Sequence, residues 1–216
     1  MGAFAPGVAG VIDPVWSTAV IFQQLAIIPI ILVAGSSLLV LVSQNWRRSI
    51  LALSVQYLGV FWLIALSWPV NLAIVKLVVG WVAGAVLGAS QLSETSKDSG
   101  SRSSQIFRSL AAVFVFILAF TTYPFLAAWI NTRSEILQGG LILIGIGLLQ
   151  LGMTTNSLRV VLGLLTVLSG FEIIYAAVET SVLVTGLLAV VTLGLALVGS
   201  YLLNVTSMDE PAEETE

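Results

Sequence analysis

Residues 156 to 179 of this chain read NSLRVVLGLLTVLSGFEIIYAAVE. Arg159 stands near the start, an apolar run follows it, and Glu172 lies well inside a segment that is long enough to cross a bilayer as a helix. A charged side chain at that depth costs roughly 2.5–3.5 kcal/mol or more, so it faces protein or water rather than lipid. The segment therefore predicts a membrane-spanning helix that carries a buried carboxylate.

Two further polar residues accompany this carboxylate. Tyr175 and Glu179 follow Glu172 at helical spacing, which places the three side chains near one face of the predicted helix. We interpret Glu172 as a proton or ion site, with Glu179 and Tyr175 as candidates for the same path. In the alternative interpretation, Glu172 only joins helices through a hydrogen bond or an ion pair, and Glu179 is a loop residue at the membrane edge.

The composition indicates a multi-pass membrane protein. Hydrophobic residues make up 58% of the chain and charged residues only 9%, which excludes an ordinary soluble domain. The long, continuous apolar runs favour helices over the alternating strands of a barrel. The chain has no Cys and no His, so we expect no disulfide, no metal site, no cofactor and no catalytic residue of its own. It also lacks a basic patch for nucleic acid.

The order of apolar and polar segments predicts seven spans in two groups. Residues 1–23 contain two prolines and no basic leader, and they predict an interfacial N-terminal segment. Residues 91–105, QLSETSKDSGSRSSQ, predict a flexible cytoplasmic linker, and residues 204–216 predict an acidic cytoplasmic tail. The predicted spans are 24–43, 49–67, 70–90, 106–129, 134–153, 158–178 and 181–203.

The basic loop residues predict the orientation of these spans. With seven spans, all basic loop residues but Arg133 fall on one side of the membrane, and that side is expected to be cytoplasmic. The N-terminus is then outside and the C-terminus is in the cytoplasm. The residues on the basic side are Arg47, Arg48, Lys97, Arg102, Arg108 and Arg159.

A shift of 111 residues aligns the chain with itself and suggests an internal repeat. It divides the chain into a first three-helix unit, 24–90, and a second, 134–203, joined through a connecting helix at 106–129. Because one extra helix separates the units, the repeat is predicted to be parallel. The shift aligns Asn45 with Asn156, Arg48 with Arg159, Leu51 with Leu162, Leu53 with Leu164, Gly59 with Gly170, and Gly88 with Gly199.

The third predicted span carries a second charge inside the apolar sequence. Lys76 shares a helical face with Gly80, Gly84 and Gly88, which follow it at intervals of four. Such a glycine stripe lets another helix approach closely, so we interpret it as a packing face. Lys76 is interpreted as a charge that modulates, or exchanges a proton with, a nearby carboxylate; alternatively its side chain extends to the headgroups.

The 111-residue register leaves contact between Lys76 and Glu172 open. It sets Lys76 opposite Leu187, so contact with Glu172 requires the two halves to pack face to face. The alternative is a hydrated path that reaches Glu172 without Lys76. Other side chains inside the spans could line such a path, although threonines often bond to their own helix: Gln56, Tyr57, Thr166, Thr185 and Thr192.

The stretch LRVVLGLLTVLSGFEIIYAAVE resembles the second helix of subunit K of NADH:quinone oxidoreductase and of the C subunit of multi-subunit cation/proton antiporters. The shared features are a basic residue in the short loop and the step Gly170-Phe171-Glu172-Ile173. The chain length, the two three-span units and the intramembrane lysine in IVKLVVGWVAG are similar to the E membrane subunit of hydrogenase-4. The resemblance covers residues 24–203.

This resemblance implies a non-redox subunit in the membrane arm of a hetero-oligomeric complex, beside antiporter-like subunits, with Glu172 on a proton path. Such complexes lie in the bacterial plasma membrane or an equivalent energy-converting membrane. Two features depart from the pattern, since the seventh span lacks the second glutamate of subunit K and Phe61 stands where the first repeat would align with Glu172. A stand-alone secondary transporter or channel, and a structural membrane scaffold, are the alternatives.

Overall fold

A computed structural model describes residues 27–91, 102–130 and 132–208, and within these ranges the chain forms seven α-helices and no β-strand. The prediction of an all-α polytopic membrane protein is confirmed. The helices are α1 Ile27–Val42, α2 Trp46–Ala65, α3 Val70–Ser90, α4 Arg102–Trp129, α5 Ser134–Gly152, α6 Ser157–Val178 and α7 Val182–Met208.

Six of these helices, α2 to α7, are long and apolar enough to cross a membrane. The described part of α1 is also apolar but has only 16 residues. A helix satisfies its own backbone hydrogen bonds, which is why apolar sequence of this length adopts it in lipid. The chain is therefore an integral membrane protein.

Asparagine caps explain where two of the helices begin. The Asn45 side chain accepts a hydrogen bond from the backbone N–H of Arg47, and the Asn156 side chain accepts one from that of Arg159. A capping side chain satisfies an N–H group that the first helical turn leaves free. The Asn45 cap starts α2 at Trp46, three residues before the apolar run from which its start was predicted at residue 49. The 111-residue register aligned these two asparagines.

Two helices extend beyond their predicted bounds because no helix breaker intervenes. The helix α4 begins at Arg102 rather than residue 106, just after Gly100, and α7 continues to Met208 rather than residue 203, towards Pro211. The predicted interfacial segment 1–23, most of the linker 91–105 and the end of the acidic tail lie outside the described residues.

Hydrogen bonds at both ends of the bundle show that the two three-helix units run in the same direction. At one end, Arg159 Nη2 donates to the carbonyl of Ser43 at 2.6 Å, which joins the α5–α6 turn region to the α1–α2 turn. At the opposite end, Trp68 Nε1 donates to the carbonyl of Glu179 at 3.2 Å, which joins the α2–α3 and α6–α7 turns. Corresponding turns therefore lie together, so α2 and α6 are parallel. We call these ends the Arg159 end and the Trp68 end.

Each helix of the first unit packs against its counterpart in the second: α1 against α5, α2 against α6, and α3 against α7. Two apolar clusters of buried residues fill the interior. One cluster includes Val60, Ile64, Trp68, Ala73 and Ile173. The other includes Leu53, Leu87, Leu158, Leu162 and Leu165.

The connecting helix α4 lies at the periphery, packed against α5 and, more lightly, against α1. Arg108 ties it to both units, since its guanidinium donates to the carbonyls of Leu41 and Met153 at 3.3 and 3.4 Å. Much of its surface is apolar and exposed, with Phe125 at 73% and Trp129 at 92%. That surface is suited to contact with lipid or with another membrane protein.

Candidate functional site

The side chains of Lys76 and Glu172 form an ion pair inside the bundle. Lys76 Nζ donates to Glu172 Oε1, and the two residues are only 2% and 3% exposed. Each lies six residues from the Trp68 end of its helix, a depth of about 9 Å at 1.5 Å per residue. The equal depth on α3 and α6 explains why the two charges meet. Lys76 therefore does not extend to the membrane surface.

The ion pair joins the two repeat units, since Lys76 comes from the first and Glu172 from the second. Thr192 of α7 also lies at the carboxyl of Glu172 and completes a site built from three helices. The face-to-face packing of the units that this contact requires is present between α2 and α6 and between α3 and α7.

One helical turn from Glu172, Ser169 and Tyr57 extend the polar site. The Tyr57 hydroxyl is hydrogen-bonded to the Ser169 side chain, and both residues are almost fully buried. Gly80 makes room for the tyrosine, because a Cβ at that position would lie 2.2 Å from the Tyr57 ring. The first glycine of the predicted stripe thus lets an aromatic side chain from α2 lie beside Lys76.

The other two glycines of the stripe also face α2 but are less closely packed. A Cβ at Gly84 would lie 3.7 Å from Ser54 Oγ, and one at Gly88 would lie 3.6 Å from Ile50 Cδ1. These are ordinary van der Waals distances, so a methyl group fits at both positions. The strict steric requirement for glycine in this stripe is at Gly80.

Gln56 and Thr166 form the next polar layer towards the Arg159 end. Gln56 Nε2 donates to Thr166 Oγ1 at 3.3 Å, and neither side chain is exposed. Thr166 in turn donates to the carbonyl of Leu162. The Gln56 Oε1 atom has no hydrogen-bond partner among the described residues.

Glu179 and Tyr175 lie away from the ion pair. The helix α6 ends at Val178 and Glu179 has an extended backbone, so helical periodicity no longer applies to its side chain. Glu179 is exposed, and its Oε1 accepts a hydrogen bond from the N–H of Thr180. Tyr175 is half-buried and stacks on Phe171, with ring centroids 6.1 Å apart. The geometry of Glu179 matches the alternative interpretation, a residue at the end of a span.

Two features of the interior did not emerge from the sequence. Ser169 was not singled out, although Thr166, Ser169 and Glu172 follow one another at intervals of three and so lie on neighbouring positions of one helical face. The closest backbone contact was also missed: a Cβ at Gly170 would lie 2.6 Å from the carbonyl oxygen of Gly140 on α5. The seven-residue spacings Gly140–Gly147 and Gly163–Gly170 were the available signal.

The arrangement defines a class of site: a mutually satisfied acid–base pair buried inside a bundle of apolar helices. Burial of two charges is costly unless they pair closely, and the Lys76–Glu172 contact meets that condition. Among the described residues, no group of three or more Asp or Glu side chains is placed to hold a metal ion.

No family model matches this chain, and no curated protein or solved structure matches it. The fold and site thus define an all-α integral membrane protein with a buried lysine–glutamate pair. The resemblance to subunit K, to the antiporter C subunit and to the hydrogenase-4 E subunit remains a prediction.

Proposed function

We propose that this chain is a non-redox membrane subunit that contributes to proton or cation translocation in a complex-I-like, hydrogenase-4-like or multi-subunit antiporter complex. The Lys76–Glu172 ion pair is the observation that carries the proposal. An ionisable pair between membrane-spanning helices is expensive to keep, and such groups commonly mark proton or ion pathways.

The chemistry of the pair suits a relay. Glu172 can accept a proton from outside the pair while Lys76 keeps its charge, which raises the net charge of the site by one. Alternatively, Lys76 can pass its own proton to the carboxylate, which leaves both groups neutral and the net charge unchanged. In a low-dielectric interior, a charge that moves in a neighbouring subunit changes the balance between these states strongly. A redox or antiporter partner could therefore drive proton uptake and release at Glu172.

The repeat argues against a role that is only structural. At the positions that the 111-residue register aligns with Glu172 and Lys76, the chain has Phe61 and Leu187. Each three-helix unit therefore carries one of the two charges and forms without the other. One observation also supports the scaffold alternative: the two charges are in close contact, and such a contact can hold helices together.

Partners and orientation complete the proposal. The exposed apolar surface of α4 and the other outer helices is suited to the bilayer and to neighbouring antiporter-like subunits. The basic Arg159 end is assigned to the cytoplasm of a bacterial plasma membrane or its equivalent, with the N-terminus outside.

The test begins with isolation of the affinity-tagged chain from its native membrane in mild detergent. We expect other membrane subunits to co-purify, including antiporter-like ones, and mass spectrometry identifies them. The isolated complex is then reconstituted into liposomes with its driving reaction, and proton movement is followed with a pH-sensitive dye.

Glu172→Gln keeps the shape of the side chain and removes its titratable group, so translocation should fall by about tenfold or more. The matched control is Glu135→Gln, which makes the same change at the start of α5, far from the ion pair in the chain. Full translocation by a normally assembled Glu172→Gln complex would refute the proposal and leave Glu172 as a structural partner. A chain that purifies alone and transports protons would instead favour the stand-alone transporter.

A further inference from the structure

On α2 and α6, buried polar side chains continue from Glu172 towards the Arg159 end. Towards the Arg159 end, Ser169 and Thr166 lie three and six residues before Glu172 on α6, about 4.5 and 9 Å along the axis. Both residues are almost fully buried, at 1% and 0% exposure. Each layer also receives a polar side chain from α2, Tyr57 at Ser169 and Gln56 at Thr166.

Towards the Trp68 end, the described residues form no such series of polar layers, and the buried threonine there, Thr185 of α7, donates to the carbonyl of Ser181. Ile173 and Ala176 are the buried residues of α6 that follow Glu172, and Ala73 lies one turn from Lys76 on α3. All three belong to the apolar cluster that includes Trp68. The Trp68 indole closes this end by its hydrogen bond to the carbonyl of Glu179.

Two buried amide oxygens lie on the polar side of Glu172 without a partner. Gln56 Oε1 has none among the described residues, and neither has Gln150 Oε1, while the residues themselves are 0% and 1% exposed. The Gln150 amide nitrogen donates to the carbonyl of Arg159. Arg159 lies seven residues before Thr166, on nearly the same face of α6. A buried amide oxygen requires a donor, and a water molecule is the donor that satisfies it where protein supplies none.

We propose that Gln56, Tyr57, Thr166 and Ser169 form a hydrated path through which Glu172 exchanges protons with the Arg159 end, while the Trp68 end is closed in this conformation. The proposal rests on the proposed function and adds the side of access and the groups that provide it. Water bound at Gln56 and Gln150 covers the interval of about 10 Å between Arg159 and Thr166.

The layer spacing supports water rather than direct side-chain contact as the conductor. Successive layers along α6 are about 4.5 Å apart, which is longer than a hydrogen bond and short enough for one bridging water. The Ser169 and Thr166 hydroxyls already donate to carbonyls of their own helix, at Leu165 and Leu162. A hydroxyl oxygen has two lone pairs, and Thr166 Oγ1 uses one to accept from Gln56 Nε2, so a lone pair remains there to accept a hydrogen bond from water.

The absence of cysteine from the sequence provides a direct test. Single substitutions Thr166→Cys and Ser169→Cys place a thiol on the proposed path, and Ile173→Cys and Ala176→Cys place one at similarly buried positions beyond Glu172. Silver ion, applied as nitrate to one side of sealed vesicles, is small enough to follow water and reacts with thiolate, which forms only where water reaches. Protection from later alkylation in denaturant measures the reaction.

We expect protection at residues 166 and 169 when silver is added from the Arg159 end, and none at residues 173 and 176 from either side. Thiols at residues 166 and 169 that stay fully alkylatable would overturn the path. Protection at residues 173 and 176 from the Trp68 end would overturn the closed end. A single cysteine at Thr155 or at Thr180, both exposed in turns at opposite ends of α6, reports the vesicle orientation.

A transport measurement separates this inference from the proposed function. In the reconstituted complex, Thr166→Val and Gln56→Leu should lower translocation severalfold, and Thr185→Val, a buried threonine at the Trp68 end of α7, should leave it unchanged. If Glu172→Gln stops translocation but Thr166→Val and Gln56→Leu do not reduce it, the path is wrong and the function stands. If silver reaches residues 166 and 169 while Glu172→Gln translocates normally, the water path stands and the function is wrong.

Discussion

Removal of one member of the Lys76–Glu172 pair should cost far more than removal of both. Lys76→Met leaves the carboxylate of Glu172 buried at 3% exposure with no cation beside it, and Glu172→Leu leaves the ammonium of Lys76 at 2% exposure without an anion. Stranding a buried charge costs about 3–5 kcal/mol in soluble proteins. Because unfolded helices of a membrane protein remain in lipid and find other partners, we take the lower end, about 3 kcal/mol.

The double variant Lys76→Met/Glu172→Leu replaces both charges with apolar groups of similar size, and such replacements are commonly neutral or stabilising. We expect it to lie within about 1 kcal/mol of the natural chain and thus to be more stable than either single variant by about 2 kcal/mol. Reversible unfolding in mixed micelles with increasing denaturing detergent measures the free energies. Arg48→Met and Glu135→Leu serve as controls for the loss of a charge outside the pair.

This cycle also distinguishes structure from transport. A double variant that is stable, assembles normally and does not translocate protons is the expected result. Single variants whose costs simply add in the double variant would show that the two charges do not stabilise each other, and the account of the pair given above would be wrong. A stable double variant that translocates at the natural rate would leave only the scaffold function.

Two further predictions concern packing and orientation. Gly80→Ala should lower the free energy of unfolding by about 1–3 kcal/mol, because the added methyl group would lie 2.2 Å from the Tyr57 ring. Gly84→Ala should leave that free energy nearly unchanged, because the nearest atom to its methyl group is 3.7 Å away. Equal free energies of unfolding for the two variants would contradict this account. Thr155→Cys should be shielded from an impermeant thiol reagent in intact cells and Thr180→Cys should react, as the positive-inside rule requires; the reverse pattern would invert the topology.

The sequence was sufficient for the helices because the physical signals are local. Apolar runs of span length depend on neighbouring residues only, and they predicted the seven helices of the described residues to within a few residues. The burial of Glu172 followed from its depth in a long span for the same reason. Errors arose where a helix ended: Glu179 was placed on the face of Glu172, but α6 stops one residue earlier.

The contact between Lys76 and Glu172 could not be derived because it depends on how two distant helices are rotated about their axes. The repeat register pairs Lys76 of α3 with Leu187 of α7, because these helices are counterparts in the two units. It gives no information on contacts between helices that are not counterparts, such as α3 and α6. The close packing of Gly140 against Gly170 could not be derived either, because it depends on which faces of α5 and α6 meet, and glycine spacing within one helix does not specify its partner.

The separation of the two charges along the chain affects how the protein is made. The ribosome adds Lys76 to the chain 96 residues before Glu172. Until α6 is made, the ammonium group of Lys76 has no carboxylate beside it. Insertion of the first three helices into the bilayer is therefore unfavourable at this position until α6 arrives. A chain that stops short of α6 therefore keeps an unpaired lysine in its third helix, at a cost of roughly 2.5–3.5 kcal/mol.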